Sequence, residues 1–131
     1  MPYDLLPGLI SGSTVYISGP IGDYVNGQKT APQAAVIEGE LVRLGYMCYN
    51  PFGSALHERN FIIPKRVWLE HDEYWIRHCD AIVLLPGWRN SEGACYEVAF
   101  GWQIKPDMLI YEWQPTADNY WHCVLLERGI A

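Results

Sequence analysis

Glu97 and Asp72 are the two side chains in this sequence best suited to do chemistry. Glu97 closes the run Ser91-Glu92-Gly93-Ala94-Cys95-Tyr96-Glu97. Ser91 can cap a helix that opens at Glu92, which places Glu97 on the second turn, on a framework rather than in a loop. Gly93 and Ala94 keep the helix start bare, and its free N–H groups, with Ser91, would suit an anion. Asp72 belongs to a different predicted helix. Two acids on separate elements around a polar cleft permit acid/base or nucleophilic work at a carbon bearing a leaving group. One carboxylate attacks or stabilises an oxocarbenium-like centre while another group manages the proton. Other chemistries have less behind them. Ser18, Ser91, His57, His71, His78 and Asp80 sit in no GxSxG elbow. The loop Gly19–Thr30 matches neither GxGxxG nor GxxxxGK[ST]. No carboxylates or histidines fall at metal-binding spacing. His71 and His78 read as structural or surface histidines. The same residues also fit a non-catalytic nucleotide-binding module.

The elements that must position these residues alternate. Thr14–Ser18 is a β-branched strand closed by Gly19-Pro20. A loop over Gly19–Thr30 follows, and then a helix over Ala31–Leu44, with Pro32 in its first turn and Gly45 at its end. Tyr46–Tyr49 is a second strand, stopped by Asn50-Pro51. Phe52–Ile63, which carries His57, Glu58 and Arg59, reads as loop. Pro64 then opens a helix reaching about His78, with Val67, Trp68, His71, Trp75 and Ile76 as its apolar stripe and Asp72 beside it. Ala81–Leu85 is apolar throughout, as a strand buried on both faces would be. Its helix runs to about Gln103, and Met108–Tyr111 is a fourth strand. The rest, capped by Thr116 and ended by Gly129, reads as a terminal helix with Trp121, Val124 and Leu125 on one face. Strand–helix–strand alternation implies an α/β fold, a small parallel sheet of four or five strands flanked by helices. An antiparallel last strand at the sheet edge is the alternative. Such a sheet gathers the Ser18–Pro20 loop, Asn50, the Leu85–Ser91 loop and the Tyr111 end at one rim.

Composition narrows the partners. The chain has 131 residues, enough for one domain. Its net charge is -6, with 15 acidic against 9 basic residues. No Lys/Arg run offers a footprint for a nucleic acid polymer. No apolar run approaches the roughly 20 residues of a membrane span, and the N-terminus lacks the pattern of a signal peptide. The four cysteines are scattered, so they read as core or near-core thiols of a reducing, cytoplasmic compartment rather than disulfides or metal ligands. Six tryptophans and nine tyrosines exceed what so small a core needs, so some should line a pocket or a subunit contact.

Val15-Tyr16-Ile17-Ser18-Gly19-Pro20-Ile21, Asn50-Pro51, Asp72, Cys79–Leu85 and Ser91–Glu97 together resemble the nucleoside 2-deoxyribosyltransferase-like superfamily. That group includes the transferases and the related nucleoside 5′-monophosphate N-glycoside hydrolases. The resemblance runs from about Thr14 to Tyr111. It is strongest to a small, often phage-encoded branch with YISGPI near the start and LLPGW-x-x-S-x-G-A-x-x-E in the middle. It implies a flavodoxin- or Rossmann-like three-layer sandwich and cleavage or transfer at the N-glycosidic bond of a (deoxy)nucleoside or its 5′-monophosphate. By position, Glu97 matches the nucleophile and Asp72 the aspartate that handles the proton or positions substrate. Ser91, Glu92 and Gly93 fall where the sugar 5′ end is held. Tyr16, Ser18, Gly19, Pro20, Ile21 and Gly22 resemble the wall against sugar and base, with Asn50 at the same rim, and Trp88 could stack on a base. Glu92 departs from the small neutral residue of many relatives, and Ile21–Tyr24 lacks the arginine of phosphate-preferring ones. The resemblance implies no cofactor or metal, a nucleoside or nucleotide ligand, and a homodimer or larger homo-oligomer with shared sites. A non-catalytic nucleotide-binding or host-interaction module keeping this fold is the alternative.

Overall fold

The computed structural model describes residues 6–20, 24–52, 64–115 and 121–127. They form a single five-stranded sheet in the order β2-β1-β3-β4-β5, built from β1 (Thr14–Ser18), β2 (Met47–Tyr49), β3 (Ala81–Leu84), β4 (Leu109–Pro115) and β5 (Trp121–Leu125). Pairings β1–β2, β1–β3 and β3–β4 are parallel, and β4–β5 is antiparallel. Three helices, α1 (Tyr24–Arg43), α2 (Lys65–Arg77) and α3 (Glu92–Ile104), complete the fold. It is the small α/β three-layer architecture that the strand–helix alternation implies.

Side-chain parity on β1 decides where the site lies. Val15 and Ile17 face α1, packing with Ala34, Ile37 and Leu41. Tyr16 faces the other way, into a second cluster with Ile76 of α2 and Val98 and Phe100 of α3. Because side chains alternate along a strand, Ser18 shares the Tyr16 face. The chain goes from β1 outward to β2, then returns to β3 on the opposite side of β1. The carboxyl ends of β1 and β3 therefore flank the point where strand order reverses, where open α/β sheets leave a crevice.

Four details differ from the sequence reading. Helix α1 begins at Tyr24, so Pro32 lies inside it rather than in its first turn. An interior proline removes one N–H bond, yet Pro32 is exposed while Ala34, Ile37 and Leu41 downstream anchor the helix to the sheet. The expected terminal helix is strand β5, paired over Tyr111↔Leu125 to Pro115↔Trp121 with a β4 that runs four residues past its expected end. Within β5, Cys123 is buried, His122 half-buried, and Val124 and Leu125 exposed. The alternative of an antiparallel last strand at Met108–Tyr111 does not hold, because β4 pairs parallel with β3; the antiparallel edge is the segment expected to be helix. On α2, Val67 is exposed rather than part of the apolar stripe. All four cysteines are free, but Cys95 is exposed rather than near-core. The expected cap Thr116, terminator Gly129 and pocket residues His57, Glu58 and Arg59 lie outside the described residues.

Gly19 lets the end of β1 pass close to the end of β3. A Cβ there would stand 2.9 Å from Leu85 Cβ, an atom fixed to its backbone. Gly19→Ala must therefore push the two strand ends apart. It should destabilise the fold by roughly 1–3 kcal/mol, read in urea as a lower midpoint with an unchanged slope.

Candidate active site

The site is built on β1 and α3. Tyr16 Oη donates to Glu97 Oε2 at 2.5 Å, and Ser18 Oγ donates to Oε1 at 2.6 Å. Each carboxylate oxygen thus has its own hydroxyl, two residues apart on one face of one strand. Glu97 is 8 % exposed and Ser18 and Tyr16 are fully buried. Ser91 brings the helix into place: its side chain accepts from Ala94 N at 3.2 Å, capping α3 one and a half turns before Glu97.

Asp72 approaches from α2. Its side chain is 21 % exposed, and its charge acts on Glu97. Burial is the main cause that pushes the Glu97 carboxyl up, to about 7, and the neighbouring Asp72 charge adds to it against the two hydroxyl hydrogen bonds. Asp72 is itself raised by burial, opposed by its contacts with His71 and the Tyr16 hydroxyl. Burial, followed by Glu97 and Asp72, pushes the Tyr16 phenol well above its ordinary range, so it stays a proton donor. Near neutral pH the Glu97 carboxyl is therefore poised between its protonated and ionised forms.

An aromatic stack backs this wall. Tyr16 stacks on Tyr49 of β2 with centroids 5.6 Å apart, and Tyr49 stacks on Trp75 of α2 at 4.5 Å. The Tyr49 hydroxyl lies 3.3 Å from His71 Nδ1. Neither Tyr49 nor Trp75 stood out in the sequence as a site residue. The signal was there for Tyr49, because parallel register pairs it directly with Tyr16.

The remaining candidates divide. Ser18 and Tyr16 join Glu97 directly, a closer role than a wall, and Gly19 forms the close strand crossing. Pro20 is half-buried at the same strand end. Glu92 is exposed in the first turn of α3, and a Cβ on Gly93 would meet nothing nearer than Ser91 Oγ at 3.9 Å. The helix start is therefore open, as its small residues imply. Asn50 uses its side chain locally, donating to Glu38 Oε1 at 3.2 Å and accepting from Phe52 N at 3.0 Å. Trp88 is half-buried against the second cluster and donates to Glu112 Oε1 at 3.2 Å, with the Arg89 guanidinium 4.6 Å from its ring centroid. Arg89 also pairs with Glu112 at 2.6 Å. Ile21 and Gly22 lie outside the described residues. Among the described residues, no three His, Cys, Asp or Glu side chains gather to hold a metal ion, and no helix is long and apolar enough to cross a membrane.

The fold and site define a small α/β domain with a buried, doubly hydrogen-bonded glutamate at the reversal point of its sheet. The chain belongs to the family described as a domain of unknown function, DUF4406, whose model matches residues 13–108. That segment holds Tyr16, Ser18, Asp72 and Glu97 and leaves both β4 and β5 outside. No curated protein matches the chain.

Glu97 binds its proton more tightly folded than unfolded, since its ordinary value is 4.5 and the folded one about 7. Its contribution to stability is then full below about pH 4.5 and lost as pH rises through about 7. The difference is on the order of 3 kcal/mol. Glu97→Gln should raise the melting temperature at pH 8 and flatten the decline in stability between pH 5 and 8, measured by thermal melts across that range.

Proposed function

We propose that this chain cleaves or transfers at the N-glycosidic bond of a (deoxy)nucleoside or nucleoside 5′-monophosphate, with Glu97 as nucleophile. The observation that carries the proposal is the Glu97 carboxylate itself, buried, fixed at both oxygens by Tyr16 and Ser18, and placed beside a second acid. Burying a carboxylate costs stability unless something is gained from it. Two donors that fix its orientation, with a crevice edge nearby, suit attack on a positioned sugar carbon. The resemblance of the YISGPI strand, Asp72 and the Ser91–Glu97 run to nucleoside 2-deoxyribosyltransferase-like enzymes supports the same chemistry.

In this reading Glu97 attacks C1′ as the base departs, forming a glycosyl ester. The Tyr16 and Ser18 hydroxyls hold the carboxylate in line and spread its charge. Asp72 supplies the proton to the leaving base. Water as the second acceptor makes the reaction a hydrolysis, and a second base makes it a transfer.

The test is incubation with a panel of nucleosides and their 5′-monophosphates, following free or exchanged base by chromatography. Base release should rise with pH through about 7, as the Glu97 carboxyl ionises. Glu97→Gln should reduce it by at least about 10³-fold. Tyr16→Phe, which removes one hydrogen bond to a charged group, should reduce it roughly 10- to 100-fold. Wild-type activity no greater than that of Glu97→Gln would defeat the proposal. Calorimetric binding without turnover would instead support the nucleotide-binding module.

A further inference from the structure

His71 stands beside the site with no part in the reaction described above. It precedes Asp72 on α2, and its side chain is 43 % exposed against 21 % for Asp72. Its Nδ1 lies 3.5 Å from Asp72 Oδ1 and 3.3 Å from the Tyr49 hydroxyl. The Trp68 ring meets the imidazole edge-on at 5.8 Å. Among the described residues, the titratable groups facing the imidazole are Tyr49 from β2 and Asp72 from its own helix. Tyr16 of β1 and Glu97 of α3 lie one contact further in.

We infer that His71 and Asp72 act as one proton-holding pair, in which water-facing His71 keeps crevice-facing Asp72 supplied with the proton the departing base needs. The inference rests on the N-glycosidic reading above. One nitrogen, Nδ1, faces both neighbours. With its proton, Nδ1 donates to the Asp72 carboxylate. Without it, Nδ1 accepts from the Tyr49 hydroxyl, so the ring keeps its place in either state. Both separations are at the long end for hydrogen bonds, as catalytic contacts often are before substrate closes the site.

The cycle balances. In the first half, Glu97 bonds to C1′ as the C1′–N bond breaks, and the electron pair leaves with the base. The proton held by the pair reaches that nitrogen through Asp72. In the second half, water or another base attacks C1′, the ester to Glu97 breaks, and the proton shed by the attacking group returns to the pair.

The test is the pH profile of base release for wild type, His71→Asn and His71→Gln. Asparagine keeps a neutral donor near the Nδ1 position but stores no proton, so it separates transfer from positioning. Both variants should lower kcat roughly tenfold above neutral pH with KM unchanged. Added imidazole should restore kcat in part. That rescue would not occur if the ring only propped the helix. A His71→Asn profile that overlays wild type, or one that falls without imidazole rescue, overturns the pair while leaving the glycosidic reading intact. Absence of base release by wild type overturns both.

Discussion

The site depends on one interaction, a glutamate of α3 that reaches across the layer to two hydroxyls on β1. Removing a carboxylate from water costs several kcal/mol unless its oxygens find donors. Tyr16 and Ser18 supply one each, at 2.5 and 2.6 Å. They can do so because β1 presents every second residue to the same face, and because Gly19 lets the strand end run tight against Leu85. Around them the packing is apolar, with Ile82, Leu84, Val98 and Ile110 in the same cluster. The polar site is thus an inlay in the α2/α3 side of the core.

Electrostatics follow from that placement. Glu97 is held up mainly by burial and then by the Asp72 charge, while hydrogen bonds from Ser18 and Tyr16 pull against both. Asp72 sits nearer to water and meets His71, so the acids differ in environment although they share a crevice. Two like groups in unlike surroundings hold their protons differently, and Glu97, the deeper of the two, is the one pushed up to about 7. The stack Tyr16–Tyr49–Trp75 ties β1, β2 and α2 together behind this pair. It fixes the angle from which Asp72 approaches without adding charge.

Much of this was legible in the chain. The apolar run Ala81–Leu85, the β-branched Thr14–Ser18 and the Ser91 cap each have a local cause, and each element formed where that cause lies. Glu97 could be singled out because a helix capped by Ser91 sets it on a framework rather than a loop, and because the resemblance of the Ser91–Glu97 run separated it from Glu92. What escaped depended on distant partners. The segment around Trp121–Leu125 has apolar residues at helical spacing, but β4 offers it a ladder of backbone bonds, and pairing overrode periodicity. The start of α1 was hidden by the glycines and polar residues before Pro32, which speak for a loop until the later turns anchor the helix. Tyr49 and His71 carry no local mark, and they matter only because register and helix phase set them against Tyr16 and Asp72.

The central claim is that Glu97 bonds covalently to the sugar, and trapping that bond tests it most directly. A 2′-fluorinated nucleoside, whose electron-withdrawing fluorine slows breakdown of the ester, would be incubated with the protein and the digest read by mass spectrometry. One base should be released per site, with a fluorosugar adduct on the peptide carrying Glu97 that is absent in Glu97→Gln. Base released from ordinary nucleosides with no such adduct, or with the adduct on another residue, would contradict it.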